Sequence, residues 1–196
     1  MAYGFVLVGG LSTRMGRDKA LLPLGGVPMA LLQAQKLERI CGRAAFVGKD
    51  PGPYAEYGFP FVADQPADRA ALHGLVAALD WSPEEHTIVL AADVPRVSGT
   101  LLEALLGRLE AAGVPAVVPT AAGHPQPLCA AWSLSALPAL RRAVAARSFS
   151  LRRVVEASRA LVLSEAETAL LPGFASGAFQ NVNTPEEYRA AKEETD

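Results

Sequence analysis

Cysteine is scarce in this chain, and its two residues, Cys41 and Cys129, are too few for the framework of a disulfide-rich scaffold. Both lie in apolar stretches of sequence, and we expect them to be small buried side chains. With 196 residues, the chain is long enough to bury a full core without disulfides or structural metals. We therefore expect a single domain over residues 1–196.

Long hydrophobic runs are also missing, because no segment approaches the roughly 18 uninterrupted apolar residues that a membrane-spanning helix needs. An apolar run does extend from Tyr3 to Gly10, but no basic residue precedes it. Arg14, Arg17 and Lys19 come after the run, which is the wrong order for a signal peptide. The run therefore predicts a buried first strand, and we expect a cytoplasmic protein with reduced thiols and no membrane partner.

Charge of either sign is not in large excess. Lys and Arg number 18 against 20 Asp and Glu, which gives a formal net charge of −2. This balance provides no overall attraction to nucleic acid or to an anionic membrane, and we expect neither as a partner. It leaves room for a local basic cluster that binds a small anionic ligand.

Short apolar runs alternate with longer amphipathic stretches along the chain. The runs predict strands at 5–8, 44–48, 60–63, 87–92, 115–119, 128–132 and 161–163. The amphipathic stretches predict helices at 29–40, 70–79, 101–109, 137–146 and 151–157. Ser98 or Thr100 is available to cap the third of these helices. The sequence Thr184-Pro185-Glu186-Glu187 is a capping box that predicts a further helix near the C-terminus.

This alternation indicates an α/β fold with three layers, in which a mostly parallel sheet of the Rossmann-like kind carries helices on both faces. The nearly continuous apolar strands favour the same class, because the strands of such sheets are buried on both faces. Ligands of open α/β sheets bind outside the carboxyl ends of the strands. We therefore expect the segments after Val8, around Asp93 and before the last helix to meet there.

The segment from Leu7 to Lys19 reads LVGGLSTRMGRDK and directly follows the first predicted strand. Gly9 and Gly10 allow the backbone to turn sharply and to approach a ligand closely. Successive backbone N–H groups in such a turn bind anions, and Arg14 and Lys19 add two cations. The segment therefore predicts a polyphosphate pocket, whereas a glycine turn followed by a solvated basic stretch is the alternative.

The same segment lacks the two common nucleotide fingerprints, G-x-G-x-x-G and G-x-x-x-x-G-K-[ST]. A dehydrogenase and a P-loop enzyme are therefore disfavoured. The nucleotide site, if present, belongs to another class.

Asp93 directly follows the predicted strand at 87–92 and precedes Val94-Pro95. A carboxylate at this point is costly unless it leaves the core or meets a cation. Its position at the carboxyl edge suits Mg²⁺, which binds hard oxygen ligands and nucleotide phosphates together. A turn or helix-capping Asp is the alternative interpretation.

Asn181 and Asn183 are two residues apart in the extended segment before the C-terminal helix, with Val182 between them. Residues at this spacing share one face of an extended chain, so the two amides are expected to point the same way. Neutral amides can bind a polar ligand without adding charge repulsion. The alternative is turn chemistry before a capped helix.

The segment from Leu7 to Lys19 resembles LAGGxSxRMGxDK, the signature of the molybdenum cofactor guanylyltransferases of the MobA family. Val8 stands where the family has Ala, and every other fixed position agrees. The family's cD-x-P motif resembles the sequence around Asp93. Its NVNTPEE motif is matched residue for residue at 181–187.

Two weaker matches extend the resemblance. Asp64, followed by Leu72-His73-Gly74, resembles the family's Asp and GPLAG motif, but Ala70, Ala71 and His73 depart from it. Gly123-His124-Pro125-Gln126-Pro127-Leu128 resembles the family's segment ending in QPL, which lies on the pterin side. A plain turn is the alternative for this second segment.

The resemblance implies a nucleotidyltransferase that uses Mg²⁺, GTP and molybdopterin cofactor, and that forms molybdopterin guanine dinucleotide and pyrophosphate. It implies catalytic roles for Lys19, Arg14 and Asp93, with Asp93 as the metal ligand. It places the nucleotide at Leu7, Val8, Gly9, Gly10, Lys19, Asp64, Gly74 and Asp93. It places the pterin near Asn181, Asn183 and Gln126.

Alternatives remain at this point. The chain could be a cytidylyltransferase for the same cofactor, although Gly9-Gly10 favours guanine, since cytidine-using relatives tend toward Ala-Gly. It could act on a sugar phosphate, or be a regulatory module that only binds nucleotide. For His73 and for His124, a functional role and a purely structural role both remain open.

The arginines Arg141, Arg142, Arg152 and Arg153 indicate a solvated face. The alternative is that some of them hold the pterin's phosphate or an acidic partner protein. Proteins that insert molybdenum, or the molybdoenzymes themselves, are further partners that the resemblance implies.

Overall fold

The structure is a computed structural model that describes residues 1–8, 18–64 and 71–193. Seven strands form its main sheet, and two short hairpins lie beside it. The main strands are β1 (Ala2–Leu7), β4 (Ala44–Gly48), β5 (Phe61–Ala63), β6 (His86–Ala91), β7 (Ala116–Val118), β10 (Cys129–Ser133) and β11 (Leu161–Val162). The hairpins pair β2 (Pro23–Leu24) with β3 (Val27–Pro28), and β8 (Thr120–Ala121) with β9 (His124–Pro125).

The strand order of the main sheet is β11-β7-β10-β6-β1-β4-β5. All its strands run in one direction except β10, which is antiparallel to both neighbours. In the centre of the sheet, β1 pairs with β6 from Ala2 opposite His86 to Leu7 opposite Ala91. The prediction of a mostly parallel sheet is confirmed, and the reversal of β10 is a feature that the apolar runs did not reveal.

Helices cover both faces of this sheet. Their bounds are α1 (Met29–Cys41), α2 (Ala71–Trp81), α3 (Gly99–Ala112), α4 (Leu137–Ala145), α5 (Leu151–Ser158), α6 (Glu165–Ala169) and α7 (Pro185–Glu193). One core joins α1 and α3 to the sheet, and a second core joins α2, α4 and α5 to the opposite face. The three-layer prediction is therefore confirmed.

The two cores are separated by the alternation of side chains along the strands. In β1, Tyr3 and Phe5 belong to the core of α2, whereas Val6 belongs to the core of α1. Successive side chains of a strand point to opposite faces, so an apolar strand contributes to both cores at once. A third, smaller cluster contains Leu24, Met29, Val182 and Ala191, and it packs α7 against the β2–β3 hairpin.

Several elements differ from the sequence predictions in detail. Ser98 rather than Thr100 caps α3, because its hydroxyl accepts a hydrogen bond from Leu101 N at 3.1 Å. The two short hairpins and α6 were not predicted, since segments of two to five residues are too short to show a hydrophobic period. None of the helices within 1–8, 18–64 and 71–193 has the length and apolarity needed to cross a membrane.

Of the two cysteines, Cys129 meets the expectation of burial in full and Cys41 in part. Cys129 is buried in the sheet, and Cys41 is half-buried at the end of α1. Burial raises the pKa of both thiols to about 12, which keeps them protonated at neutral pH.

Gly4 allows α1 to lie unusually close to β1. A Cβ atom at Gly4 would lie 2.5 Å from the Cβ of Leu37, which is fixed to the helix backbone. Since Leu37 is fully buried, it cannot relieve such a contact by moving into solvent. The absence of a side chain at Gly4 therefore sets the distance between the central strand and α1.

We expect Gly4→Ala to destabilise the fold by about 1–3 kcal/mol, because the added methyl group forces the helix away from the strand. Urea denaturation measures the free energy of unfolding. Gly107→Ala is the matched control, since an added Cβ there has no neighbour within 4 Å and the residue lies in the exposed part of α3. That control should be stabilised by up to about 1 kcal/mol, and equal effects of the two substitutions would contradict the packing argument.

Candidate active site

A cleft that opens to solvent lies at the carboxyl edge of the parallel strands. It begins where β1, β4 and β6 end, as expected for an open α/β sheet. Its lining comprises Leu7, Val8, Asp18, Lys19, Ala20, Val47, Lys49, Asp64, Ala71, Gly74, Ala91, Ala92, Asp93 and Leu128.

Lys19 and Asp93 meet at one end of the cleft. The Lys19 ammonium donates to Asp93 Oδ2 and to Asn183 Oδ1, the latter at 2.6 Å. The side chains of Lys19 and Asp93 are 18% and 17% exposed, so each charge is partly removed from water while it faces the other. The three predicted segments therefore converge at this point, through one side chain each.

Lys19 is held by a short 3-10 turn over Lys19–Leu21. Asp18 caps this turn, because its Oδ1 accepts a hydrogen bond from Ala20 N at 3.0 Å. Its second oxygen accepts from the hydroxyl of Tyr54 at 2.5 Å. Burial, together with this hydrogen bond, raises the pKa of Tyr54 above its ordinary value, so the phenol remains a donor. Asp18 thus anchors the turn from which Lys19 projects.

Asp93 is positioned by backbone contacts on both sides. Ala92 N donates to Leu7 O at 3.1 Å, which continues the pairing of β1 and β6 beyond the last strand residue. The carbonyl oxygen of Asp93 accepts from Val182 N at 2.8 Å. The C-terminal segment therefore lies directly against the residue that carries the carboxylate.

The capping box before α7 positions Asn183. Glu187 Oε2 accepts hydrogen bonds from Asn183 N at 2.7 Å and from Thr184 N at 2.9 Å, and Thr184 Oγ1 accepts from Glu187 N. The hydrogen bond from Asn183 N is the main cause that lowers the pKa of the Glu187 carboxyl below its ordinary value. The predicted capping box is confirmed, and its geometry orients the Asn183 amide toward Lys19.

Asp64 lies in a different part of the cleft, at the end of β5. Its backbone N donates to Gly48 O at 2.8 Å, which aligns it with the end of β4. Its Oδ1 atom is buried and makes no hydrogen bond with any described residue. Burial raises the pKa of this carboxyl above 3.8, and the charges of Lys49 and His73 oppose the shift. A buried acceptor that faces a cleft without a partner is suited to ligand binding.

Gly74 faces Asp64 from α2. A Cβ atom at Gly74 would lie 3.2 Å from Leu7 Cδ2 and 3.7 Å from Asp64 Oδ2. A side chain at this position would therefore narrow the cleft next to the unpartnered carboxylate. The backbone of α2 can approach a ligand here because residue 74 has no side chain.

The donor set at Lys19 is suited to a divalent cation that arrives with its own phosphate ligands. Asp93 Oδ2 and Asn183 Oδ1 already converge on a cation, the ammonium of Lys19. The described residues contain no cluster of three or more Asp, Glu, His or Cys side chains that could hold a metal ion alone. One carboxylate with an oxygen-rich substrate fits Mg²⁺, which keeps waters and binds phosphates, and does not fit a closed zinc site.

The structure places most of the sequence-predicted site residues in one cleft. Leu7, Val8, Lys19, Asp64, Gly74 and Asp93 all line it. Gly9, Gly10 and Arg14 lie outside the described residues. Asn181 and Asn183 are both exposed and Val182 is buried, as the two-residue spacing predicts, but only Asn183 reaches Lys19.

Gln126 is not brought into the lining of the cleft. Its Nε2 donates to the carbonyl oxygens of His124 at 3.1 Å and Ala121 at 3.4 Å, within the β8–β9 hairpin. These hydrogen bonds tighten its own turn. Leu128, two residues further along the chain, lines the cleft in its place.

Sequence reasoning missed Asp18 and Lys49 as cleft residues. Asp18 was part of the recognised signature but was given no role, and its role is to cap the Lys19 turn. Lys49 follows β4 directly, and its place after the end of a parallel strand is a signal that could have identified it.

The two histidines and four arginines singled out from the sequence are not among the residues that line the cleft. His73 is buried on α2 and packs against Phe149 with ring centroids 5.3 Å apart, whereas His124 is exposed in the β8–β9 hairpin. All four arginines of the expected solvated face are exposed, namely Arg141, Arg142, Arg152 and Arg153. Arg141 pairs with Asp80, and Arg152 pairs with Glu156 on its own helix.

Comparison with known proteins finds similarity to nucleotidyltransferases over most of the chain. The family model described as the MobA-like NTP transferase domain matches residues 4–162. The molybdenum cofactor guanylyltransferase of Rhodobacter capsulatus is 31% identical over 97% of this chain and 94% of its own length. The enzyme of that name from Rhizobium meliloti is 32% identical over 95% of this chain and 88% of its own length.

A solved structure with a similar fold is that of molybdopterin-guanine dinucleotide biosynthesis protein A from Archaeoglobus fulgidus. It has a TM-score of 0.83 and 26% sequence identity, and the match covers 97% of each chain. The similarity therefore includes the sheet, the helices on both faces and the segment that leads into α7.

We expect Asp64→Asn to stabilise the free protein at pH 7. The pKa of Asp64 is raised in the folded state, so its ionised form costs folding free energy, and the amide removes that cost. The gain should shrink as the pH falls toward 3.8 and vanish below it, where the carboxyl is protonated in the folded and unfolded chains alike. The measurement is the free energy of unfolding in urea over this pH range.

Asp80→Asn is the control for that experiment, because Asp80 forms an exposed ion pair with Arg141. Its removal should leave stability nearly unchanged or slightly lower. A loss of stability in Asp64→Asn at pH 7 would contradict the argument that its charge is held at a cost.

Proposed function

Because the chain belongs to the MobA-like NTP transferase family, we propose that it transfers GMP from GTP to the terminal phosphate of molybdopterin and releases pyrophosphate. The observation that carries the proposal is the convergence of Lys19, Asp93 and Asn183 in a cleft at the carboxyl edge of the sheet. Relatives that match nearly the whole chain are named molybdenum cofactor guanylyltransferases, which supports this substrate pair.

The reaction needs no covalent nucleophile on the protein. A phosphate oxygen of molybdopterin attacks the α-phosphorus of GTP in line, a new P–O bond forms, and the bond to the leaving pyrophosphate breaks. The attacking group is already an anion, so no strong general base is required. Catalysis of such a transfer consists mainly of positioning and charge neutralisation.

Lys19 supplies the neutralisation closest to the reacting phosphorus. Its ammonium lies in the cleft and is directed by the capped turn at Asp18. Contact with the α-phosphate would stabilise the charge that accumulates there as the leaving group departs. From the sequence, we assign Arg14 and the backbone of Gly9 and Gly10 to the pyrophosphate.

Asp93 would hold Mg²⁺ at the same end of the cleft. When bound, the ion neutralises phosphate charge as a Lewis acid. The carboxylate is fixed through its own backbone, because Val182 N binds Asp93 O and Ala92 N binds Leu7 O. Asn183, whose amide oxygen accepts a hydrogen bond from the Lys19 ammonium, would lie beside the ion as well as on the pterin side.

Asp64 and Gly74 would bind the guanine base. The Watson–Crick edge of guanine carries two adjacent donors, N1–H and the N2 amino group, which a carboxylate can accept together. Cytosine presents a single donor there, its N4 amino group, next to the acceptors N3 and O2, so a carboxylate that accepts from N4 would bring its second oxygen toward an acceptor. The buried, unpartnered Oδ1 of Asp64 therefore favours guanine and argues against the cytidylyltransferase alternative.

On the pterin side, Asn181 and Asn183 share one exposed face of the segment before α7, and this supports a role in binding the second substrate. Gln126 is the weakest of the three assigned residues, because its amide nitrogen is engaged in its own hairpin. Proteins that insert molybdenum or receive the dinucleotide remain expected partners on the basis of the family alone.

We predict that the protein releases pyrophosphate only when GTP, Mg²⁺ and molybdopterin are all present. CTP should support transfer poorly, because the Asp64 carboxylate has no pair of donors to accept on cytosine. A coupled pyrophosphate assay with GTP, CTP and ATP checks this expectation. Transfer with CTP as fast as with GTP would overturn the base assignment, and nucleotide binding without any transfer would favour a regulatory module.

Lys19→Ala should lower kcat by on the order of 10²- to 10³-fold, as the loss of a preorganised charge at a transition state does. Its effect on stability should be about 1–3 kcal/mol, because the mostly buried Asp93 carboxylate loses its cation. Lys192→Ala, an exposed lysine on α7, is the control and should leave both quantities unchanged. Near-normal kcat together with a large loss of stability would assign Lys19 to the fold instead.

A further inference from the structure

Two polar residues of α1 contact the backbone that follows Asp93. Gln33 is fully buried, and its Nε2 donates to Val94 O at 2.7 Å. Lys36, three residues further along the helix, donates to Val97 O at 2.5 Å and to Pro95 O at 3.2 Å. A third hydrogen bond from Lys36, to Gln33 Oε1 at 2.7 Å, joins the two side chains into one unit.

The ammonium of Lys36 is satisfied without any acidic partner. Its three hydrogens are matched by three acceptor oxygens, one from an amide side chain and two from the backbone. Within the described part of the chain, no carboxylate lies within ion-pair distance of it. A largely buried cation is costly for a fold, so its presence at this place calls for a specific role.

The segment 94–97 needs these donors because it lies outside the regular hydrogen-bonding pattern of the sheet. Val94 and Val97 are buried, so their carbonyl oxygens are not hydrated, and Pro95 has no N–H to offer its neighbours. Within the segment itself, the hydrogen bond from Val97 N to Val94 O is long, at 3.4 Å. The side chains of Gln33 and Lys36 therefore supply hydrogen-bond donors that neighbouring backbone groups do not supply.

The flanks of this segment are held from the opposite side by the chain that leads into α7. Asp93 O accepts from Val182 N, and Arg96 donates to Gln180 Oε1 at 2.6 Å. The Ser98 hydroxyl donates to Gly173 O at 2.7 Å. Asp93 is thus the first residue of a loop that is clamped between α1 and the C-terminal segment.

We propose that Gln33 and Lys36 are positioning residues for Asp93, because they fix the backbone of 94–97 and thereby the direction of the Asp93 carboxylate. Neither residue touches the cleft, and neither lies in a segment that carries the family resemblance. The proposal rests on the proposed role of Asp93 as the Mg²⁺ ligand. Under this proposal, binding of the metal–nucleotide complex depends on the hydrogen bonds from Gln33 and Lys36 as well as on Asp93 itself.

The test measures how Mg²⁺ concentration affects GTP binding and guanylyl transfer in Lys36→Met and Gln33→Leu. Loss of residues that orient a metal ligand typically weakens metal affinity about 10- to 100-fold, so we expect half-saturating Mg²⁺ to rise by about tenfold or more. At saturating Mg²⁺ the transfer rate should recover most of its value. Calorimetric binding of GTP in EDTA should remain as in the original protein, since the cleft residues are unchanged.

Two further variants make the result specific. Lys36→Arg keeps a cationic donor and should restore much of the original Mg²⁺ dependence. Arg39→Met removes an exposed cation from the same helix and should have no effect on it. If Lys36→Met does not fold, Gln33→Leu and Lys36→Gln carry the test, and hydrogen exchange at Val182 N and Val97 N reports whether the loop has loosened.

Asp93→Asn, measured in parallel, distinguishes a failure of the positioning role of Gln33 and Lys36 from a failure of the proposed metal site at Asp93. If Asp93→Asn abolishes Mg²⁺ dependence while folded Lys36→Met and Gln33→Leu keep the original half-saturating Mg²⁺, the positioning role is overturned and the proposed function stands. If Asp93→Asn leaves Mg²⁺ dependence unchanged, the metal assignment fails and the positioning role fails with it. A lower melting temperature with unchanged Mg²⁺ dependence would assign Gln33 and Lys36 to stability alone.

Discussion

The parallel pairing of β1 with β6 determines where the chemistry of this molecule can take place. Because Leu7 lies opposite Ala91, the two strands end together, and the segments that follow them leave the sheet side by side. Lys19 comes from the first of these segments and Asp93 from the second, which is how residues 74 positions apart in sequence come into contact. The close approach of α1 at Gly4 serves the same arrangement, since it brings Gln33 and Lys36 against the backbone after Asp93.

Opposite charges share the Lys19 end of the cleft in the free protein. Lys19 and Asp93 neutralise each other, and the Asn183 amide adds a dipole without a charge. Such pairing offsets part of the cost of holding charged groups away from water. Asp64 lies apart from this pair, at the end of β5, and its charge is opposed by burial. The cleft therefore has a charge-balanced end, suited to phosphates and a metal, and an acceptor end, suited to a base.

Much of this arrangement could be predicted from sequence, because it depends on local patterns. Apolar runs predicted the strands of the main sheet, and the spacing of Asn181 and Asn183 predicted their common face. The orientation of β10 could not be predicted, since an apolar run has no direction of pairing. Lys36 looks like an ordinary surface residue of a helix, and its acceptor at Val97 is 61 residues away. The hydrogen bonds of Gln126 could not be predicted for a similar reason, because its own hairpin supplies acceptors that the sequence does not reveal.

The reversal of β10 also determines at which edge of the sheet the turn between α4 and α5 lies. Because β10 runs opposite to β6, it ends at the amino edge of the sheet, beside His86, and α4 must start there. The chain then returns along α5 to begin β11 at that same edge, so the turn between α4 and α5 lies on the side of the cleft. Phe149, in this turn, rests on His73 near the start of α2. Insertions or deletions in this turn would therefore act on the packing of α2 at its start, while the sheet and the groups that it aligns stay the same.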